Sequence, residues 1–507
     1  MITFIDDLLN RITMYRLMLY YLIALLVIAA VFGVFGILSI SPVSLIASTL
    51  IILTACSITN KVFAAVLKIP TNVESIYITA CILALIISPI SLQPFDMAGF
   101  WFLVAASVIA MASKYILAVH KKHIFNPAAI AVAITAITLG QYASWWIGGN
   151  LPMLAFVLIG GLLVARKIQH FDLILAFFAA ALASVILTDL SFDPITTAEK
   201  AFIHTTLLFF GFVMLTEPLT TPPTRPLRII YGLLVGALFA PGIHIGSIYS
   251  TPELALVVGN IFSYAVSPKR KYLLELVSKK EIGSGGVYDF AFAAGGKSID
   301  FRPGQYMEWT LAHPDSDSRG NRRYFTIAAS PTESEIHLGV KFPAGADGTT
   351  VSTYKKKMLA LEPGERLMLA GQLAGDFTLP HDPDRKLVFI AGGIGITPFR
   401  SMIKYLSDHD ERRDIVLLYS NREATEVAYR EIFDEATKTI GLKTIYIATE
   451  TGQRIDAAFI EREIPDYRAR MFYISGPRAM IVAFEKTLHD MAVPRSHIKT
   501  DFFPGFV

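Results

Sequence analysis

The chain has 507 residues, of which 53% are hydrophobic and 17% charged, with a net charge of +3. It is too long for one ordinary core and too apolar for a wholly soluble protein. The small positive balance, with no basic patch interleaved with aromatics, excludes nucleic acid as an expected partner.

In chain order, Arg11 and Arg16 precede an apolar run longer than a signal-peptide core and without a small-residue cleavage site, which reads as a retained first helix. A spanning helix needs ~20 apolar residues. About ten stretches qualify: roughly 17–39, 43–66, 75–94, 99–119, 127–147, 150–166, 171–189, 200–217, 228–246 and 252–267. With ten spans, the basic groups Arg11, Arg16, Lys61, Lys68, Lys114, Lys121, Lys122, Arg166, Lys167, Arg225, Arg228 and Lys269 to Lys271 share one side, and only Lys200 lies on the other. Basic loops stay cytoplasmic, so a multi-pass protein of the plasma (inner) membrane is expected, with both termini in the cytoplasm. Cys56 and Cys81 both fall in these stretches and can supply neither a four-thiolate iron–sulfur cluster nor a disulfide framework.

Three loops on the basic side are richer than connectors require: residues 60–75, 120–129 and 216–228. Pro-broken polar backbone at membrane depth is tolerated only where it is buried in protein or lines a cavity. Two readings stand side by side, ligand sites or helix caps and turns. His123-Ile124-Phe125-Asn126-Pro127-Ala128-Ala129, the run from Thr216 to Thr224, and Ser144-Trp145-Trp146-Ile147-Gly148 resemble the membrane flavoproteins of Rnf-type complexes and of the sodium-pumping NADH:quinone reductases (Nqr). The resemblance implies a flavin in the membrane half. The Ser-Gly-Ala-Thr motif that carries covalent FMN in those proteins is absent from the sequence, so non-covalent FMN or riboflavin is expected, with Asn126, Thr216, Glu217, Thr220 and Thr221 as polar contacts. For Glu74 and Glu217, near helix ends, proton or sodium passage and simple interfacial solvation both remain open. A transmembrane haem pair needs paired histidines on two helices. Away from the cytoplasmic edge the apolar half offers only His204 and His244, too few for two bis-His sites.

From Ser267 onward the composition is that of soluble domains, and the cut is placed near Lys269-Arg270-Lys271. Short apolar runs between Tyr272 and about Pro380, punctuated by turns such as Arg302-Pro303-Gly304 and Glu362-Pro363-Gly364, predict an antiparallel barrel. From Lys386, strands alternate with helices: Leu387 to Ala391, Asp414 to Tyr419, Lys443 to Thr449 and Arg470 to Ser475, which predicts a doubly wound parallel sheet. The expected architecture is therefore an all-α polytopic membrane domain over 1–268, an antiparallel β-barrel FAD domain over 269–381 and an α/β nucleotide-binding domain over 382–507.

Four motifs in the soluble half occur in the order found in the ferredoxin-NADP reductase superfamily, which the region resembles. Arg323-Tyr324-Phe325-Thr326 fits that family's Arg-x-aromatic-Ser/Thr pattern. The resemblance implies Arg323 on the FAD pyrophosphate, Phe325 stacked on the isoalloxazine, and Thr326 bonded near N5, roles that suit a guanidinium fork and an aromatic face. The run from Asp347 through Gly348, Val351, Ser352 and Thr353, before a helix expected over Tyr354 to Leu361, resembles the second pyrophosphate clamp; an ordinary helix cap is the other reading. Gly392-Gly393-Ile394-Gly395-Ile396-Thr397-Pro398 lies between strand and helix, where doubly wound sheets bind ligands, and its glycines are expected to let the nucleotide approach the backbone. Ser475-Gly476-Pro477-Arg478-Ala479-Met480 matches the family's Cys-Gly-Pro-x-x-Met nicotinamide motif with Ser475 in place of Cys. Phe503, in the terminal Thr500 to Val507, stands in the aromatic end that can cover the flavin.

The sequence thus predicts an NAD(P)H-dependent FAD oxidoreductase in the membrane. Electrons would pass to a membrane-domain flavin and on to a quinone, an extracytoplasmic carrier or a metal. Thr326 and Ser475 are the residues nearest the chemistry. The alternative is a membrane domain that binds or transports a flavin or other small molecule, with a coupled reductase. NADH or NADPH and the direction of flow are left open.

Overall fold

In the computed structural model the described residues are 9, 12–67, 73–119, 122–188, 193–246, 248–267, 271–296, 298–311, 313, 317, 320–342, 351–366 and 368–501. The chain divides into two compact units, Met1–Arg270 and Lys271–Val507.

The first unit is helical: α1 (Met14–Val34), α2 (Pro42–Leu67), α3 (Val73–Ile86), α4 (Met97–Ile116), α5 (Pro127–Leu139), α6 (Leu151–Ile168), α7 (Phe171–Thr188), α8 (Pro194–His204), α9 (Leu207–Phe209) running into a π turn (Phe210–Met214), α10 (Arg225–Ala237) and α11 (Pro252–Val266). Two-residue hairpins pair β1 (Ala118–Val119) with β2 (Lys122–His123) and β3 (His244–Ile245) with β4 (Ile248–Tyr249). Among the described residues, α1, α2, α4, α6 and α7 are long and apolar enough to cross a membrane. The other apolar stretches form shorter helices, because Ser88-Pro89 follows α3, a left-handed Gly140 ends α5, and extended backbone at Thr205 interrupts the run 200–217. At 1.5 Å per residue, a helix of 13 residues such as α5 rises only about 20 Å, so such helices rely on neighbours to satisfy their ends.

The end of α3 shows how. Backbone N–H groups of Trp145 and Ile147 donate to the carbonyls of Ile86 (2.8 Å) and Leu85 (3.3 Å), and the Trp146 indole donates to Ala84 (2.9 Å) and Ile87 (3.1 Å). The orphan carbonyls of a buried C-terminus are thereby paired inside the protein. Small residues permit a close helix contact: a Cβ on Gly232 or Gly236 of α10 would come within 2.7 Å of the Leu173 carbonyl oxygen or 2.6 Å of that of Phe177, on α7.

The second unit holds two sheets. β5 (Tyr272–Glu281), β6 (Val287–Ala293), β7 (Tyr306–Leu311), β8 (Arg322–Thr326), β9 (Ile336–Lys341) and β10 (Met368–Ala374) form a nearly closed antiparallel, barrel-like sheet in the order β8-β7-β10-β5-β6-β9. Trp309, Phe290, Phe292 and Tyr354 fill its interior; Tyr354 comes from α12 (Thr353–Leu359). A parallel sheet follows, in the order β13-β12-β11-β14-β15, from β11 (Leu387–Gly392), β12 (Ile415–Asn421), β13 (Lys443–Ala448), β14 (Met471–Ser475) and β15 (Ile498–Asp501). Its helices are α13 (Thr397–Asp408), α14 (Arg430–Thr439), α15 (Ala457–Glu463) and α16 (Arg478–Asp490). β11 is buried along its whole length, as a central strand covered on both faces must be.

Candidate functional site

β8 lies at the edge of the barrel-like sheet and pairs with β7, placing Thr326 opposite Tyr306 and Phe325 opposite Met307. The Arg323 guanidinium donates to the carbonyls of Arg322 (2.6 Å) and Gly320 (3.2 Å) and lies 5.0 Å over the Tyr354 ring. Burial raises the Tyr354 phenol above its ordinary range, so the ring beneath Arg323 stays neutral. The Phe325 carbonyl accepts from the Trp309 indole at 3.2 Å, and the Phe325 ring sits 6.2 Å from Tyr354. Tyr324 reaches Glu308 at 3.2 Å and meets Tyr306 edge to face.

Gly348 and Phe503 lie outside the described residues. Val351 precedes α12, whose cap is Ser352, accepting from the Lys355 N–H at 3.2 Å. The Thr353 hydroxyl contacts His313 Nε2 (3.1 Å) and the Asp317 N–H (3.0 Å), and the Asp317 carboxylate accepts from the Thr353 N–H at 2.9 Å. The Ser352 hydroxyl thus caps the helix, whereas the Thr353 hydroxyl ties its first turn to His313 and Asp317, distant in sequence.

The glycine loop leaves β11 at Gly392, makes a short turn over Gly393–Ile396 and enters α13, with Pro398 in its first turn and the Thr397 hydroxyl on the Ile394 carbonyl at 3.2 Å. Its glycines divide their work. A Cβ on Gly392 would sit 2.4 Å from Met480 Sδ, and one on Gly395 2.4 Å from the Ser475 carbonyl oxygen. These two serve close packing against Ser475, Gly476 and Met480. Gly393, at φ +54°, faces open space. Pro477 precedes α16 and packs near Gly392.

Ser475 is 4% exposed and lies in register between Ala391 of β11 and Asp501 of β15. Asp501 was legible in sequence only as a neighbour of the aromatic end, because its strand is four residues long and lacks a strong apolar pattern. Burial pushes its carboxyl up to about 7. Its Oδ2 and both amide atoms of Asn421 are buried without hydrogen-bond partners among the described residues. Both residues end parallel strands, at the edge where such sheets bind nucleotides. Unsatisfied polar atoms there, with the bare Gly393 and the Arg323 fork, fit FAD and a nicotinamide nucleotide.

In the helical unit, Asn126 caps α5 by accepting from the N–H groups of Ala128 and Ala129, both at 3.1 Å, and its own N–H donates to Asn260 at 2.7 Å. Asn260 also donates to the Tyr231 hydroxyl at 3.1 Å. Thr216 bonds the Phe212 carbonyl, and Thr220 and Thr221 bond that of Glu217, so these hydroxyls close their own turns. His123 Nε2 lies 3.4 Å from Glu217 Oε1, joining two of the rich loops, and Glu217 Oε2 is buried with no partner among the described residues. Glu74 pairs with Arg16 at 3.2 Å. Asn260 and Tyr231, which complete this polar cluster, carry no motif; only their place on α11 and α10 identifies them.

Residues 389–486 match the oxidoreductase NAD-binding domain family. The chain is 29% identical over 224 residues to a flavohemoprotein of Bacillus cereus, covering 41% of this chain and 54% of that one. It is 30% identical over 236 residues to a flavohemoprotein of Pseudomonas putida, covering 44% and 57%.

The C-terminal half thus holds a stretch that matches oxidoreductase NAD-binding domains and is similar in sequence to part of the flavohemoproteins. The chain spans about half the length of the curated relatives it matches. Similar solved structures include a flavohemoglobin from Malassezia yamatoensis (18% identity, TM-score 0.44, covering 79% of this chain and 96% of that one). Another is a ferredoxin-NADP+ reductase from Plasmodium falciparum (15%, TM-score 0.39, covering 46% and 96%).

Proposed function

We propose that this protein is a membrane-bound flavoprotein that moves electrons between NAD(P)H and an acceptor reached through its helical unit, with its termini and soluble unit cytoplasmic. The observation that carries the reading is the convergence of the glycine loop, Ser475 and Asp501 at the carboxyl edge of the parallel sheet. Bound FAD supplies the exchange between a two-electron hydride and single electrons. The residues do the rest. Arg323 offers its fork to the pyrophosphate, Phe325 a ring face, and Thr326 a hydroxyl. Gly393 admits the nucleotide to the backbone. Ser475 and Asp501 line the nicotinamide position, where a carboxyl near pH 7 holds or releases a proton.

The onward acceptor is a non-covalent FMN or riboflavin near His123, Asn126 and Glu217, followed by a quinone, redox carrier or metal. In that cluster Glu217 and Asn260 are better placed for polar contact than Thr216 and Thr220, whose hydroxyls are already used. The test is to purify the full chain in detergent, denature it and identify the released flavins. FAD together with FMN or riboflavin is expected. Absence of FAD overturns the reading, and FAD alone removes the flavin relay from it.

A further inference from the structure

We infer that Arg400 is a positioning residue for hydride transfer, tying the helix behind the nucleotide loop to the segment that directly follows the strand of flavin contacts. The inference rests on the oxidoreductase reading above and deepens it.

Arg400 lies on α13, which begins directly after the glycine turn, and is 4% exposed. Its Nη1 donates to the Ala328 carbonyl at 3.1 Å, and the neighbouring Ser401 hydroxyl donates to the Ala329 carbonyl at 2.5 Å. Ala328 and Ala329 follow Thr326 with only Ile327 between. The path from the flavin hydroxyl to the nucleotide loop is thus a few residues of backbone and one turn of helix.

A buried guanidinium costs several kcal/mol unless it is paired. Glu333 grips it with both oxygens, Oε1 lying 2.8 Å from Nη2. Glu333 also approaches His337 Nε2 at 4.0 Å, His337 Nδ1 lies 2.7 Å from Asp289 Oδ2, and Asp289 Oδ1 accepts from the Tyr429 hydroxyl at 2.7 Å. The circuit closes where the Arg400 guanidinium lies 5.4 Å from the Tyr429 ring centre. Burial, and next the Asp289 charge, raise the Tyr429 phenol well above its ordinary value, so it remains a neutral donor.

Two backbone features show that the approach is built. Tyr429 is held at φ +57°, a left-handed conformation costly for a bulky residue. Gly339, opposite Asp289 in the β6 and β9 register, has no side chain where a Cβ would lie 2.7 Å from Thr397 Cγ2 and 2.8 Å from the Tyr429 hydroxyl. Apolar side chains of equal volume stabilise such a junction as well as an ion pair does. They do not fix direction as a bidentate fork does. Direction is what a hydride donor and acceptor need, since a misplacement of about 1 Å costs on the order of a hundredfold in rate.

The test uses the full-length flavin-loaded protein, with anaerobic single-turnover reduction by NAD(P)H. For Arg400→Met and Glu333→Gln, FAD content and ADP affinity are expected to match wild type. The limiting reduction rate should fall about tenfold to a hundredfold, and the nicotinamide-to-flavin charge-transfer absorbance should weaken. Arg400→Lys should recover only part of the loss, and the double variant should be no slower than either single one. Unchanged rate and charge-transfer absorbance, or a loss that tracks FAD content alone, overturns the inference. If Arg400→Met does not accumulate, Ser401→Ala removes one of the two ties and is read by the same measurements; a wild-type rate there overturns the inference equally. Wild-type protein that NAD(P)H fails to reduce sinks the underlying oxidoreductase reading instead.

Discussion

Asp501→Asn should make the C-terminal unit more stable at alkaline pH while leaving it nearly unchanged in acid. The folded protein raises this carboxyl from 3.8 to about 7 by burial alone. A raised carboxyl contributes its stability in full below the unfolded value, near pH 4, and loses it as pH rises through the folded value near 7. The shift of roughly three units corresponds to about 4 kcal/mol at ~1.36 kcal/mol per unit. Most of that falls in an accessible window: wild type should lose about 3 kcal/mol more than Asp501→Asn between about pH 5 and pH 8. The assay is chemical unfolding of the full chain without added nucleotide, followed by flavin release at the two pH values, with tryptophan fluorescence read on a chain in which Trp309 is kept and Trp101, Trp145 and Trp146 are replaced by Phe. Equal pH dependence of the two proteins would refute the reasoning, because it would mean that Asp501 ionises normally and is hydrated in the fold.

Arg323→Met should weaken FAD retention by about 1.5–3 kcal/mol, the worth of hydrogen bonds to a charged group, measured as flavin loss on dilution. Gly395→Ala places a methyl against the Ser475 backbone, which unlike a Met side chain cannot swing away; NAD(P)H oxidation should drop at least tenfold with FAD still bound, on the order of the loss from a misplaced donor. Asn260→Ala strips partners from the Asn126 N–H and the Tyr231 hydroxyl together. It should cost the helical unit about 1–3 kcal/mol per orphaned group, seen as a lower melting temperature in detergent.

The C-terminal unit was readable because its signals are local. Alternation, turn glycines and the change to buried strands at Leu387 are properties of neighbouring residues, and the observed strands β11 to β14 lie within a residue or two of the expected runs. β15 was missed because a short edge strand, Ile498–Asp501, is defined by its partner β14 rather than by its own pattern. In the helical unit, the apolar runs marked where helices form but not how far each one extends. Hydropathy is insensitive to whether a run such as 127–147 is one long helix or the short α5 followed by non-helical backbone whose hydrogen bonds complete α3.

The sequence by itself determined the two-part composition, the order of barrel and parallel sheet, and the Arg323 to Thr326, Gly392 to Pro398 and Ser475 to Met480 motifs, since each depends on residue types at fixed short spacing. The tertiary structure alone decided which polar groups have work left to do. Ser352, Thr216 and Thr220 look like ligand contacts in sequence, yet spend their hydroxyls on nearby backbone. Asp501, Asn421 and Glu217 acquire their character from burial beside chain far away in sequence. Hydrogen-bond satisfaction and desolvation are sums over spatial neighbours, and no local pattern of residues encodes them.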